Sequence, residues 1–291
     1  MALNKMHKET GRMLKEDNTY INRADYVYNS HVDYYKKVLN FGIESSKGNV
    51  PGHTVIHKFG RNSAISSTFA PITESSFYRT PTSNTALEVV SNDANDTSTG
   101  TGARSITYEG LQESGGNLVV VTNTVSLNGT TAVALPDSLI RLYRWRVATS
   151  GTYATQTSAS HQGTLTIQES GGGNTWSTIV LNTFGRAQSQ IGCYTVPTGY
   201  TAFISEIVYS IENDKEAEIL LYQRPGVLNT TAPFDAMRLV TEVSSARGVA
   251  EANYSAPFIF EEETDILFFG KLKSGSGPGT VDFTLYLVEN G

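Results

Sequence analysis

The chain has 291 residues, of which 39% are hydrophobic and only 17% charged, with a formal net charge of −6 at pH 7. That length can bury one large or two modest cores, so a wholly disordered chain is excluded. The acidic balance argues against a nucleic-acid-wrapping role, which needs a basic surface, and a single cysteine rules out an intrachain disulfide.

The N-terminus MALNKMHKETGRMLKED is charged and carries no apolar segment of signal-peptide length. Nowhere do about eighteen apolar residues run together, so the reading is synthesis in a cytosol with no membrane span. Residues 1–45 differ in kind from the rest. Tyr28, Val32, Tyr35 and Leu39 recur at spacings of four, three and four, one stripe of a helix. Asn22 with Asp25 supplies an N-cap and Gly42 a C-terminal stop, which predicts a helix over 23–40. A shorter helix is expected around Lys5 to Lys15. The tyrosines of this arm suit either packing on its own body or docking on a neighbouring subunit.

From Val50 onward the period becomes two, the signature of half-buried strands. In HTVIHKFGRN, His53 and His57 lie four apart on one strand face; zinc would require further ligands that do not accompany them, which favours a solvated face. Val119, Val121, Val125 and Leu127 alternate with Thr122, Thr124 and Ser126, and Asn128-Gly129 predicts a tight hairpin turn after them. The pentapeptide QESGG occurs twice, at Gln112–Gly116 and Gln168–Gly172, each time between two strand-like runs. Both copies are expected to be turns rather than a repeated site.

RLYRWRV, from Arg141 to Val147, interleaves basic and aromatic residues. On a regular strand Arg141, Tyr143 and Trp145 share one face, either an edge or interface strand whose arginines pair with carboxylates or a stacking platform for a sugar ring. Cys193 alternates within a strand and is expected to act as a small buried hydrophobe. Further alternation at Phe203, Ile207, Tyr209 and Ile211, at Ile219 and Leu221, and at Val281, Phe283, Leu285 and Leu287 completes the strand pattern. The cluster Glu261, Glu262, Glu263 and Asp265 reads chiefly as a solvated turn, with a calcium site as the lesser reading. No phosphate-binding loop, nucleophile elbow, HExxH or paired CxxC is present.

Many short strands separated by Gly, Asn, Ser and Pro clusters, with no helices interleaved, predict an all-β fold. The expected body is an antiparallel sandwich or jelly roll behind an N-terminal helical arm. The expected divisions are an arm over 1–45 and β domains over 46–150 and 151–291, with one continuous sandwich as the alternative.

The stretches VIHKFGRNSAIS, GTGARSITYEGL, TVSLNGTTAVALPDSLIRLYRWRVATSGT and CYTVPTGYTAFISEIVYS resemble a group of tailed-bacteriophage virion proteins, familiar from phages of marine and other aquatic bacteria. The match spans roughly residues 53–210. The resemblance implies a structural component of the virion, on capsid, neck or tail, and carries no catalytic or cofactor-binding residue.

The resulting expectation is a non-enzymatic virion protein without cofactor or metal. It forms a homo-oligomer with other phage structural proteins as partners, anchored through Tyr28, Val32, Tyr35 and Leu39 and in contact through Arg141, Tyr143 and Trp145. The alternative is an adhesin that binds a host-surface glycan on the Tyr143/Trp145 face.

Overall fold

The computed structural model describes Arg12–Leu14, Tyr20–Asn22 and residues 41–181, 186–212 and 214–291. The chain divides into two units, Met1–Val55 and Ile56–Gly291. The helix expected over 23–40, with Tyr28, Val32, Tyr35 and Leu39, lies outside the described residues.

In the first unit the helix expected around Lys5 to Lys15 is replaced in part by a strand. β1 (Arg12–Leu14) pairs antiparallel with β2 (Tyr20–Asn22), Met13 opposite Ile21. Gly42 does not stop a helix; it lies inside α1 (Phe41–Ser46). The stop is Gly48, whose φ of 72° is the left-handed conformation that ends helices. Its amide donates to the Ser45 carbonyl and that of Asn49 to the Glu44 carbonyl, the paired bonds of a Schellman motif.

The second unit is built almost wholly of antiparallel strands. One sheet runs β7 (Asn117–Ser126), β6 (Ala103–Ser114), β9 (Arg141–Ser150). A second runs β11 (Thr175–Ile179), β10 (Leu165–Glu169), β5 (Thr85–Ser91), β8 (Val133–Leu139). A third runs β12 (Cys193–Thr195), β17 (Asp265–Leu272), β14 (Ala217–Arg224), β15 (Arg238–Ala246), with β4 (Ala70–Pro71) also on β17. The fourth runs β16 (Val249–Phe260), β13 (Tyr200–Ile211), β18 (Gly277–Glu289), β3 (His53–Ile65).

Two hydrophobic cores result. One gathers Ile204, Ile207, Tyr209, Phe268, Phe283 and Leu285, with Ile65, Leu111 and Tyr143 from earlier in the chain. The other gathers Leu87, Ile106, Tyr108, Leu142 and Trp145, with Ile167, Cys193 and Leu267 from later. Each core therefore draws on residues from both sides of the division expected near Ser150.

Both QESGG copies are turns, of different kinds. At the first, Ser114 pairs with Asn117, leaving Gly115 and Gly116 as a two-residue hairpin loop. Their φ values of 62° and 83° are those a primed turn demands and only glycine supplies without strain. At the second, the loop from β10 to β11 is longer, and the Glu88 carboxylate accepts from the amides of Gly171 and Gly172. The same letters thus close two sheets with separate geometry.

Asn128-Gly129 does not form the expected hairpin turn, because the strands flanking it belong to different sheets. Instead the Gly129 amide donates to the Asp96 carbonyl while its own carbonyl accepts from the Ser91 amide. The buried Asp96 side chain in turn accepts from the amides of Ala103, Gln162 and Gly163 and from the Ser91 hydroxyl. One carboxylate therefore ties together the loop SNDANDTSTGTG and the approach to β10, satisfying donors that would otherwise be buried alone.

The HKFGRN stretch is fixed by backbone proximity. A Cβ on Gly60 would stand 2.3 Å from the Gly192 Cα and 2.5 Å from the Ile72 carbonyl oxygen, so only glycine lets these segments meet. Arg61 pairs with Glu74 at 3.1 Å, and the buried Asn62 donates to the Pro71 carbonyl while its oxygen accepts from Ala64 and Ser76.

Candidate functional site

Asp265 opens β17 directly opposite Thr195 of β12 on one side and Arg224 of β14 on the other. Cross-strand neighbours on one face are the pairs whose side chains meet. Thr195 donates its hydroxyl to Oδ1 at 2.6 Å, and Arg224 donates Nε to Oδ2 at 2.9 Å and a terminal nitrogen to the same oxygen. Arg141 arrives from β9 of another sheet and binds both oxygens, Nε to Oδ1 at 2.9 Å and Nη2 to Oδ2 at 3.0 Å. Its Nη1 is used by the carbonyls of Pro81 and Ile140.

Burial opposes ionisation of Asp265, but the charges and hydrogen bonds of Arg141, then Arg224, outweigh it and hold the carboxyl below its usual range. The same pairing, against burial, raises Arg141. Asp265 is therefore not part of a solvated turn as expected. Glu261 and Glu262 are exposed there, Glu262 accepting from the Gly199 amide, whereas Thr264 and Asp265 are buried. A recess of about 170 Å³ opens over Arg141 and Arg224, walled by Pro81, Gly226, Phe234 and Asp235.

Arg141, Tyr143 and Trp145 do not form a shared outward face. All three are buried, at 0%, 1% and 0% exposure. A register shift at Glu109/Gly110 breaks the alternation of β9, so Tyr143 packs in the first core and Trp145 in the second. Tyr143 stacks on Tyr194 with centroids 4.4 Å apart and donates to the Thr195 carbonyl; Trp145 donates its indole N–H to Ser177 at 2.9 Å. The reading that arginines of this strand pair with carboxylates describes Arg141, but the aromatic platform expected for a sugar lies inside the protein.

A second recess, of about 200 Å³, lies beside the outer side of β9, where the residues around Gln188 add hydrogen bonds. Lys58 lines it, buried, with Nζ donating to the Tyr143 carbonyl at 2.7 Å. Burial, then the neighbouring Arg144 charge, lowers its ammonium from 10.5 to about 7, opposed by Cys193 and Glu109. The unfolded chain therefore holds a proton between pH 7 and 10.5 that the folded chain releases, so stability rises with pH across that window and the penalty is complete below it. Lys58→Met is expected to remove this slope. It loses one hydrogen bond of about 1 kcal/mol against a larger charge penalty, for a net gain on the order of 1–3 kcal/mol near pH 6. Thermal unfolding of both proteins from pH 6 to 10 measures it; parallel pH dependence of the two would contradict the assignment.

The remaining candidates are placed as follows. His53 Nδ1 lies 2.9 Å from the Pro51 carbonyl and its ring meets Phe41 edge-on. His57 pairs with Asp282 at 3.2 Å on an exposed strand face. Cys193 is buried, and burial pushes its thiol up to about 12, so it is not a nucleophile. Among the described residues no group of three or more His, Cys, Asp or Glu side chains is placed to hold a metal ion. No described helix is long and apolar enough to cross a membrane.

The sequence places an edge at β9, which ends its sheet, but not those at β15 and β16. β15 and β16 each stand last in their sheets. β16 is 12 residues long, and Glu251 is its single charged residue. Val249 and Ile259 at its two ends are 72% and 60% exposed, and every residue of 231–239, Phe234, Met237 and Leu239 among them, is exposed. Pro257 within β16 was the available signal, since proline inside a strand marks an edge.

No protein-family model matches the chain, and no curated protein matches it. Among solved structures it is similar to a chain of infectious bursal virus derived T=1 particles, at 10% identity over 82% of this chain and 70% of that one, TM-score 0.25. It is also similar to a tryptic core variant of Bacillus thuringiensis Cry1Da, at 8% identity over 78% of this chain and 53% of that one, TM-score 0.16. At these scores neither likeness defines a shared fold.

Proposed function

We propose that this chain is a non-enzymatic structural component of a tailed-phage virion, a sandwich or jelly-roll body that joins further copies of itself and is anchored on the particle by residues 1–45. The observation that carries the reading is the exposed apolar side chains on two edge strands, β15 and β16. A free ladder of N–H and C=O groups is an adhesive surface, and soluble monomers blunt it with lysines, bulges or short strands. β16 has 12 residues and one charge, its ladder being broken only at the bulge that holds Pro257; Val249 and Ile259 are exposed at its ends, and Phe234, Met237 and Leu239 are exposed before and at the start of β15. The occupant that fits a backbone edge with apolar flanks is an identical edge from a second copy.

The motif resemblance supports a virion setting, and it is consistent with the structural role of Gly60 and Asn62 in HKFGRN and of Arg141 in RLYRWRV, which join separate segments of the fold. A glycan-binding role loses its residues, because Tyr143 and Trp145 are buried. Deleting residues 1–45 is expected to leave a folded, self-associating body that is absent from assembled virions, scored by tagging the chain and purifying particles. Normal incorporation of the truncated chain would overturn the anchoring role.

A further inference from the structure

We propose that the recess beside β9 is a binding site for a tetrahedral oxyanion of the phosphate class, held by Lys58, Arg144 and Arg146. The recess of about 200 Å³ is lined by these three cationic side chains together with His57, Gln188 and Ser189, and no carboxylate lines it. Three cations around a pocket without an acid is the arrangement that phosphate recognition uses, arginine offering a planar fork and lysine a point charge.

Two features separate this pocket from an ordinary basic surface. Lys58 is buried at 3% exposure, and its Nζ has one acceptor among the described residues, the Tyr143 carbonyl, which leaves ammonium donors directed at nothing else. Arg144 is held in place by donating to the His57 carbonyl, while Arg146 makes no ion pair among the described residues. The other arginine cluster of the protein is different: Arg141 and Arg224 are both consumed by Asp265.

The groups that face Lys58 are Arg144 of β9, Glu109 of β6 and Cys193 of β12. A bound dianion adds negative charge beside the amine and draws a proton onto it, so occupancy and protonation of Lys58 rise together.

The test uses the full chain and isothermal titration with inorganic sulfate, whose charge is constant from pH 6 to 9, at fixed ionic strength against chloride. Inorganic phosphate and ribose 5-phosphate serve as second and third probes. Saturable binding is expected, weakening as pH rises above 7 and falling roughly 10- to 100-fold in Lys58→Met and in Arg146→Gln. Arg146→Gln sits on an exposed side chain and guards against loss of folding. Tighter binding of the sugar phosphate than of phosphate identifies an esterified source; equal binding identifies the free anion. Sulfate heat no greater than that of chloride, or unchanged affinity in both variants, overturns the proposal. So does loss of self-association in Lys58→Met without any sulfate binding, because the pocket would then receive an acidic side chain of another copy.

Discussion

Asp265→Ala is expected to destabilise the protein by about 3–5 kcal/mol, the cost of stranding a buried charge. Arg141 is 0% exposed and spends two of its donors on this carboxylate, and among the described residues it pairs with no other carboxylate. Arg224, one-third exposed, can turn to solvent; Arg141 cannot. For a unit of this size the loss is a fall in melting temperature on the order of 10 °C. Thermal unfolding of the purified variant checks it, and a fall of under about 2 °C would show that the cluster does not tie the sheets together. The double variant Arg141→Met with Asp265→Leu is expected to recover most of the loss, since apolar groups of similar volume replace buried ion pairs at little cost. The pH dependence has a definite sign. Asp265 ionises more readily folded than unfolded, so its contribution is present above the unfolded value of 3.8 and is lost as pH falls through the lower folded one. The alanine variant lacks that acid limb.

Val249→Lys with Ile259→Lys is expected to abolish self-association while leaving the melting temperature within about 1 °C. Both side chains are largely exposed, so neither core loses a contact, and surface changes of this kind fall within about 0.5 kcal/mol. In a two-fold pairing each lysine appears twice and must be buried without a partner. Discrimination of about 100-fold or more in dissociation constant follows from even 3 kcal/mol of that cost. Unchanged association in the double variant would place the contact elsewhere.

The legibility of the sequence varied with how regular the strand is. β18 alternates without interruption, and Val281, Phe283, Leu285 and Leu287 are all buried as read. β13 reads the same on paper, yet a register shift between Ile204 and Ile207 moves the inward position from Phe203 to Ile204, because a bulge resets the period of two. The same device in β9 sends Tyr143 and Trp145 into different cores. Composition identified QESGG as turns because glycine at positive φ is a local requirement. Asn128-Gly129 misled for the complementary reason: its partner, Asp96, is a tertiary neighbour that no local pattern announces. Asp265 was hidden by its three acidic predecessors, although the immediately following Ile-Leu-Phe-Phe marks the chain turning inward. Lys58 carried no signal at all, since a lysine in a strand normally faces water.

We propose that this β body assembles through its edges, while the buried Arg141–Asp265 pair binds its own sheets together. Sedimentation velocity of the purified full chain, run from about 1 to 100 μM beside the Val249→Lys, Ile259→Lys variant, tests it most directly. The account predicts a concentration-dependent oligomer for the unaltered chain and a monomer for the variant. A monodisperse monomer for both across that range would contradict it.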